Sequence, residues 1–142
     1  MFVADILKNK GNEIISVTAD DKVGAALDLL ASRHIGAVLV LNPNGSIAGI
    51  ISERDVVHGL HKHGKDVLDM TVGELMTTNV VTCTRNDPVV AIMGMMTQQR
   101  FRHVPVVEDD NLIGLISIGD VVKSRIEEAQ AEVEALRLYI SL

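Results

Sequence analysis

With 142 residues, 47% of them hydrophobic and only 2% aromatic, the chain holds aliphatic material for one compact domain of roughly 7,000 Å² surface, against about 22,000 Å² extended, and is not disordered. A net charge of -6, with Phe2, Phe101 and Tyr139 as the aromatics, excludes the basic, stacking surface of a nucleic-acid binder. The single Cys83 excludes a disulfide-stapled scaffold, and the longest apolar run, Ile35 to Leu41, falls far short of the roughly 18 residues of a membrane span, so a soluble cytoplasmic protein is expected.

In chain order, a short apolar segment at Ile14 to Val17 predicts an edge strand. Val23, Ala26, Leu27 and Leu30 then predict a helix entered through Asp20-Asp21. Ile35 to Leu41, the turn Asn42-Pro43-Asn44-Gly45, and Ile47 to Ile51 predict a β-hairpin, followed from about Arg54 by a helix with apolar Val56, Val57 and Leu60. His61 to Thr71 reads as a connection.

The series then repeats at an offset of about 66 residues. Val80 to Cys83 is the second edge segment. Val89, Ile92, Met93 and Met96 form the helical stripe, with Asn86-Asp87-Pro88 at an N-cap and first-turn proline position. His103 to Val107 and Leu112 to Ile116 flank the turn Glu108 to Asn111, and a last helix runs from about Gly119 with Val121, Val122 and Ile126. Asp5-Ile6-Leu7 answers to Glu74-Leu75-Met76. The fold class is therefore α/β (α+β): two β-α-β-β-α repeats, 1–64 and 65–142, related by a pseudo-twofold, the second ending in an extended helix. A unit of that size buries too little surface to stand comfortably alone, and two copies can cover each other.

Each hairpin ends in Gly-aliphatic-aliphatic-Ser-x-x-Asp, at Gly49 to Asp55 and at Gly114 to Asp120. Ser52 with Asp55, and Ser117 with Asp120, have the spacing of a capping box that satisfies the first amides of a helix. The same junctions put helix N-termini beside Arg54 in one copy and Arg100, Arg102 and His103 in the other, an arrangement that attracts phosphate. Both readings stand at this point.

These junctions, the repeat and the strand Arg102-His103-Val104-Pro105-Val106 resemble the cystathionine-beta-synthase (CBS) domain family, in a tandem pair covering essentially the whole chain. The resemblance implies an adenine-nucleotide ligand, AMP first, with ADP, ATP, NAD(H) or S-adenosylmethionine as the other members, held between the repeats to regulate a partner protein. It implies that Asp55 and Asp120 accept from ribose hydroxyls and that Ser52 and Ser117 reach ribose or phosphate. Arg54, Arg102 and His103 would pair with phosphate, and backbone at Ile15, Ile35, Gly36, Val81, Phe101 and Arg102 would line the adenine slots. Gly36 and Ala37 would leave room for a flat base.

The copies differ, since Arg54 corresponds to Gly119, Arg102-His103 to Gly36-Ala37, and Pro105 to Leu39. The expectation is that the Asp55 pocket takes more phosphate charge, with Arg54 in its own motif and Arg102 or His103 nearby. No catalytic triad or phosphate-cradling glycine loop is present in the sequence, so no enzyme is expected. The rival reading is a ligand-independent dimeric scaffold with vestigial clefts.

His58, His61 and His63 lack the carboxylate or thiolate that would complete a ligand set, so no metal is expected. Met93, Met95 and Met96 read as core filler and Cys83 as a buried thiol. Val122, Ile126, Ala129, Val133, Leu136 and Ile140 alternate steps of four and three, flanked by Arg125, Glu127, Glu128, Glu132, Glu134 and Arg137. That stripe either packs on the chain's own body or pairs two chains into a homodimer.

Overall fold

The structure is a computed structural model that describes residues 1–11 and 13–142. In chain order its elements are α1 (Val3–Lys10), β1 (Ser16–Val17), α2 (Val23–Arg33), β2 (Ala37–Leu41), β3 (Ile47–Ser52), α3 (Glu53–His63), a 3-10 turn (Gly64–Asp69), α4 (Val72–Leu75), α5 (Val89–Gln99), β4 (His103–Glu108), β5 (Asn111–Ser117) and α6 (Ile118–Ser141).

The apolar stripes on α2 and α5 are buried through Val23, Ala26 and Leu30 and through Val89, Ile92 and Met96. Both helices stop at a left-handed residue, His34 (φ 53°) and Arg100 (φ 61°), whose N–H closes on Leu30 O or Met96 O. Their starts differ from expectation. Lys22 and Pro88 occupy the N-cap positions without a side-chain capping hydrogen bond, so Pro88 precedes the first turn instead of lying in it. Asp21 and Asp87 accept from the amides of Thr18 (2.9 Å) and Thr84 (2.8 Å), closing the turn ahead of each helix.

β1 runs parallel to β2, pairing Ser16 with Leu39 and Val17 with Val40, and β2 pairs antiparallel with β3 from Ala37 opposite Ser52. In the second repeat β4 and β5 form the hairpin, but the expected edge strand at Val80 to Cys83 shrinks to one bridge, Cys83 to Val106. The bridge is made by Cys83 N to Pro105 O and Val107 N to Cys83 O, each 2.9 Å. Pro105 has no N–H with which to carry the ladder further, whereas Leu39 stands at the matching place in the first repeat. The His61 to Thr71 connection is also more structured than expected, holding the end of α3 and the 3-10 turn, with Val67 fully buried.

The chain forms two compact units, and they cut across its order. One joins the N-terminal helix to Thr82–Asp109 and Ile113–Leu142; the other is Glu13–Val81 with Asp110–Leu112. The first unit therefore differs from the chain-order half 65–142 because Val3, Ile6 and Leu7 of α1 sit in one core with Val89, Ile92, Met96, Val104, Val106, Ile116 and Val121. In the second unit Val72 of α4 occupies the equivalent place, beside Val23, Val38, Val40, Ile51 and Val67. Matching backbone bonds anchor the two short helices. Val3 N reaches Asp87 O, Ala4 N Arg85 O and Val89 N Met1 O, while Val72 N reaches Asp21 O, Gly73 N Ala19 O and Val23 N Met70 O, at 2.7–3.0 Å. Burying the three α1 side chains is worth about 5–9 kcal/mol gross.

The glycine that opens each Gly-h-h-Ser-x-x-Asp junction is where the short helix of its unit lands. A Cβ at Gly49 would lie 2.7 Å from Met76 Sδ and 2.7 Å from Thr77 O; one at Gly114 would lie 2.6 Å from Leu7 Cδ2. Gly49→Ala is expected to lower unfolding free energy by about 1–3 kcal/mol in urea melts, because a carbonyl cannot swing aside, and Gly114→Ala by less, since Leu7 can change rotamer. Neutral results at both positions would remove the requirement for close helix approach.

Candidate functional site

Both Ser-x-x-Asp segments close real capping boxes. Asp55 Oδ2 accepts from Ser52 N (2.9 Å) and Ser52 Oγ (3.1 Å), while Ser52 Oγ accepts from Asp55 N (3.3 Å). Asp120 Oδ2 accepts from Ser117 N (2.8 Å) and Ser117 Oγ (3.1 Å), with Asp120 N returning to Ser117 Oγ at 3.2 Å. The two junctions are superposable in their chemistry up to this point.

Beyond the caps they diverge. Asp55 Oδ1 accepts from the Thr77 hydroxyl (3.2 Å), whereas Asp120 Oδ2 takes the Lys10 ammonium at 2.7 Å. Lys10 also donates to Leu115 O at 2.7 Å. Each carboxylate is thus met by a polar side chain at or just past the end of the short helix in its own unit: a neutral hydroxyl in one, a cation in the other. Among the described residues, the bonds from Lys10 and from Ser117 N and Oγ all fall on Oδ2 of Asp120, which leaves Oδ1 outside the capping box.

The titration behaviour follows from this charge arrangement. Burial of Asp120 favours its neutral form, but the hydrogen bond and charge of Lys10 and the bonds from Ser117 outweigh it and hold the carboxyl below its ordinary range. His103, at the start of β4, is pushed from 6.5 down to about 4, first by burial and then by Lys10, with Asp120 opposing and Arg102 adding to the decrease. His103 is therefore neutral at pH 7. Lys10, Arg102, His103 and Asp120 consequently form one electrostatic cluster, in the unit that contains α1. Cys83 is driven up to about 12 by burial and by Asp87, so its thiol stays protonated.

Arg102 and His103, expected to strengthen the Asp55 pocket, share the unit and the electrostatics of Asp120. Arg54 lies exposed in the first turn of α3, and Gly119 takes its place in the first turn of α6. The carbonyl of Gly36 accepts from Glu53 N (3.0 Å) and that of Arg102 from Ile118 N (2.8 Å), so both fasten the hairpin to the helix that follows. Ile35 and Gly36 immediately precede β2, where Ala37 is buried. Ile15 precedes β1 and Phe101 precedes β4, each partly buried, and Val81 lies outside any strand. His58, His61 and His63 are exposed on α3, and among the described residues no group of three His, Cys, Asp or Glu side chains is placed to hold a metal. No helix of the described residues is long and apolar enough to cross a membrane.

Thr77 and Lys10 were not singled out by sequence reasoning. Lys10 has no counterpart at the repeat offset, and only the packing of α1 in the unit of the second hairpin brings it to Asp120.

The CBS domain model matches residues 3–62 and again 72–127. The chain belongs to the CBS domain family, as a tandem pair. The curated CBS domain-containing protein CBSX3, mitochondrial, of Arabidopsis thaliana is 34% identical over 97% of this CBS pair and 71% of its own length. The crystal structure of the CBS-domain protein ATU1752 from Agrobacterium tumefaciens has a TM-score of 0.86 and 44% identity, covering 88% of this chain and 99% of that one. The CBS domain pair of protein MJ0100, solved in complex with 5'-methylthioadenosine and S-adenosyl-L-methionine, has a TM-score of 0.77 and 26% identity over 92% of this chain and 98% of its own. An inosine-5'-monophosphate dehydrogenase of Methanocaldococcus jannaschii is 31% identical, but the match spans only 22% of that enzyme.

The cluster around Asp120 makes a pH prediction. The unfolded chain protonates His103 near 6.5 and the folded CBS pair only near 4, so the unfolded state binds more protons in that window and stability falls as pH drops through it. Urea midpoints should decline from pH 6.5 to 4, and NMR should place the His103 imidazole near the lower value. Lys10→Met removes one cation and leaves Asp120 uncompensated, so the His103 midpoint should rise; an unchanged midpoint would break the proposed cluster.

Proposed function

We propose that this CBS pair is an adenosyl-ligand-binding regulatory module of the cytoplasm, not an enzyme, working as a homodimer on a partner protein, with the repeats divided in chain order as 1–64 and 65–142. The observation that carries the reading is the placement of one carboxylate at the end of each hairpin, with a part of its hydrogen-bonding capacity directed away from main-chain amides, toward Thr77 or Lys10. A ribose diol offers two hydroxyl hydrogens to such a carboxylate, each charge-assisted bond worth about 1.5–3 kcal/mol. The complexes of the MJ0100 CBS pair with two adenosyl compounds support the ligand class.

In this reading Asp55, Ser52 and Arg54 serve the first half, with Ile15, Ile35, Gly36 and Ala37 beside the base. Asp120, Ser117 and Gly119 serve the second, with Arg102 and His103 toward phosphate and Val81 and Phe101 toward the base. The charge asymmetry is assigned opposite to the sequence expectation. The compact unit that contains Lys10, Arg102 and Asp120 takes the more phosphorylated ligand, AMP or ATP, because displacement of Lys10 from Asp120 by a ribose hydroxyl releases an ammonium to meet phosphate oxygens. The unit that contains Asp55, with Thr77 in place of the lysine, accepts a less anionic adenosyl group.

Asp→Asn variants test this better than alanine, since the amide oxygen still caps Ser52 N or Ser117 N. Calorimetry with AMP, ATP, NADH, S-adenosylmethionine and adenosine should find Asp55→Asn and Asp120→Asn each lowering affinity at one site by more than about tenfold. Lys10→Met should weaken AMP and ATP while sparing adenosine. A ligand at 100 times its dissociation constant should add about 2.7 kcal/mol of stability in a thermal shift; silence across the whole panel would transfer the function to the ligand-independent scaffold.

A further inference from the structure

α6 is packed only through its first half. Val121 and Ser124 are buried, Arg125 and Glu128 are half-buried, and Glu128 takes ion pairs from Arg125 (3.2 Å) and the N-terminal ammonium (3.6 Å). From Ala129 onward every residue of the helix is exposed. The apolar stripe therefore does not pack on the chain's own body, Val122 and Ile126 being exposed as well. Val133 is 47% exposed, Leu136 60% and Ile140 80%, an apolar load that a solvated helix would not carry.

The stripe is also rotated away from the packed face. At 100° per residue, Val121, Ser124, Arg125 and Glu128 point to one side, while Ile126, Ala129, Val133, Leu136 and Ile140 lie about a quarter-turn or more around the helix. Written as heptads, Ile126, Val133 and Ile140 fall at a, and Val122, Ala129 and Leu136 at d. β-branched residues at the a positions Ile126, Val133 and Ile140, with leucine at the d position Leu136, favour a two-stranded parallel pair.

We propose that the occupant of this face is the α6 helix of a second copy of the chain, lying parallel and in register along Ile126 to Ile140. Charge selects both the occupant and its direction. Glu132 falls at g and Arg137 at the following e, and among the described residues neither has an ion-pair partner within the chain. In a parallel pair Glu132 of each copy faces Arg137 of the other, twice over, with Arg125 toward Gln130. The antiparallel pair that matches a to d positions instead puts Lys123 against Arg137 twice and Glu132 against Glu132. The parallel arrangement gains two attractions where the antiparallel one meets three repulsions.

This inference rests on the homodimer reading above and adds its seam and direction, and the test separates the two. The full chain should be dimeric by sedimentation equilibrium at about 10 µM, and Val133→Asp should raise the dimer dissociation constant about 100-fold, a charge in the seam having no partner. Glu132→Arg alone should weaken the dimer about fivefold, and Glu132→Arg with Arg137→Glu should restore it. Leu136→Cys reads direction, because its thiol meets its own copy only in a parallel pair and Cys83 is buried and protonated; a disulfide-linked dimer is expected under mild oxidation. A monomeric wild type overturns the homodimer and the seam together. A wild-type dimer that gives no Leu136→Cys cross-link, whether or not Val133→Asp weakens it, leaves the homodimer standing and overturns the parallel seam. Unchanged far-ultraviolet dichroism and melting of the Cys83-containing core in each variant would show that the body remains folded.

Discussion

The close approach of a short helix to a glycine at the end of a hairpin is the constraint on which the rest of this structure depends. Leu7 on Gly114 and Met76 on Gly49 are the same contact made twice, and in each unit the helix that makes it is remote in sequence from the start of the repeat it completes or follows it by a 3-10 turn. Because the glycine has no Cβ, Leu7 in one unit and Met76 with Thr77 in the other come near enough for Lys10 or Thr77 to reach the aspartate six residues further along the junction. Packing and site chemistry are therefore coupled: Thr77 meets Asp55 and Lys10 meets Asp120 only if Val72 and Val3 are seated in their cores.

The capping box and the ligand reading turn out to be compatible uses of one carboxylate. One oxygen can fasten the helix start while the remaining lone pairs face a polar side chain, and that second partner distinguishes the halves. A hydroxyl beside Asp55 leaves the local charge as the aspartate sets it. An ammonium beside Asp120, with Arg102 close by, makes its neighbourhood cationic enough to help hold His103 neutral. An overall charge of -6 conceals this local reversal of sign.

Much of the fold was legible in the residues because it is written in local periodicity. The stripes Val23-Ala26-Leu30 and Val89-Ile92-Met96, the hairpin turns, and the two junctions need only neighbours within a few residues to be read. The misreadings have specific causes. Asp21 and Asp87 resemble helix caps but bond backward to Thr18 and Thr84, and Pro105 interrupts a ladder whose other strand is in a separate segment. The aspartates and serines of the candidate site were visible through repetition. Lys10 was invisible, since nothing near it in the chain announces a partner 110 residues away.

The amino-acid sequence by itself determined the number of repeats, the elements of each, the two acid-terminated junctions and the heptad stripe along α6, because all of these follow from spacing along a single segment. Tertiary structure alone decided which short helix completes which core, which polar side chain meets each aspartate, and which face of α6 is left uncovered. Those outcomes depend on where remote segments are brought together by burial, and burial is non-directional: Val3, Ile6 and Leu7 would satisfy the hydrophobic effect against either hairpin, so only the packed shape selects one.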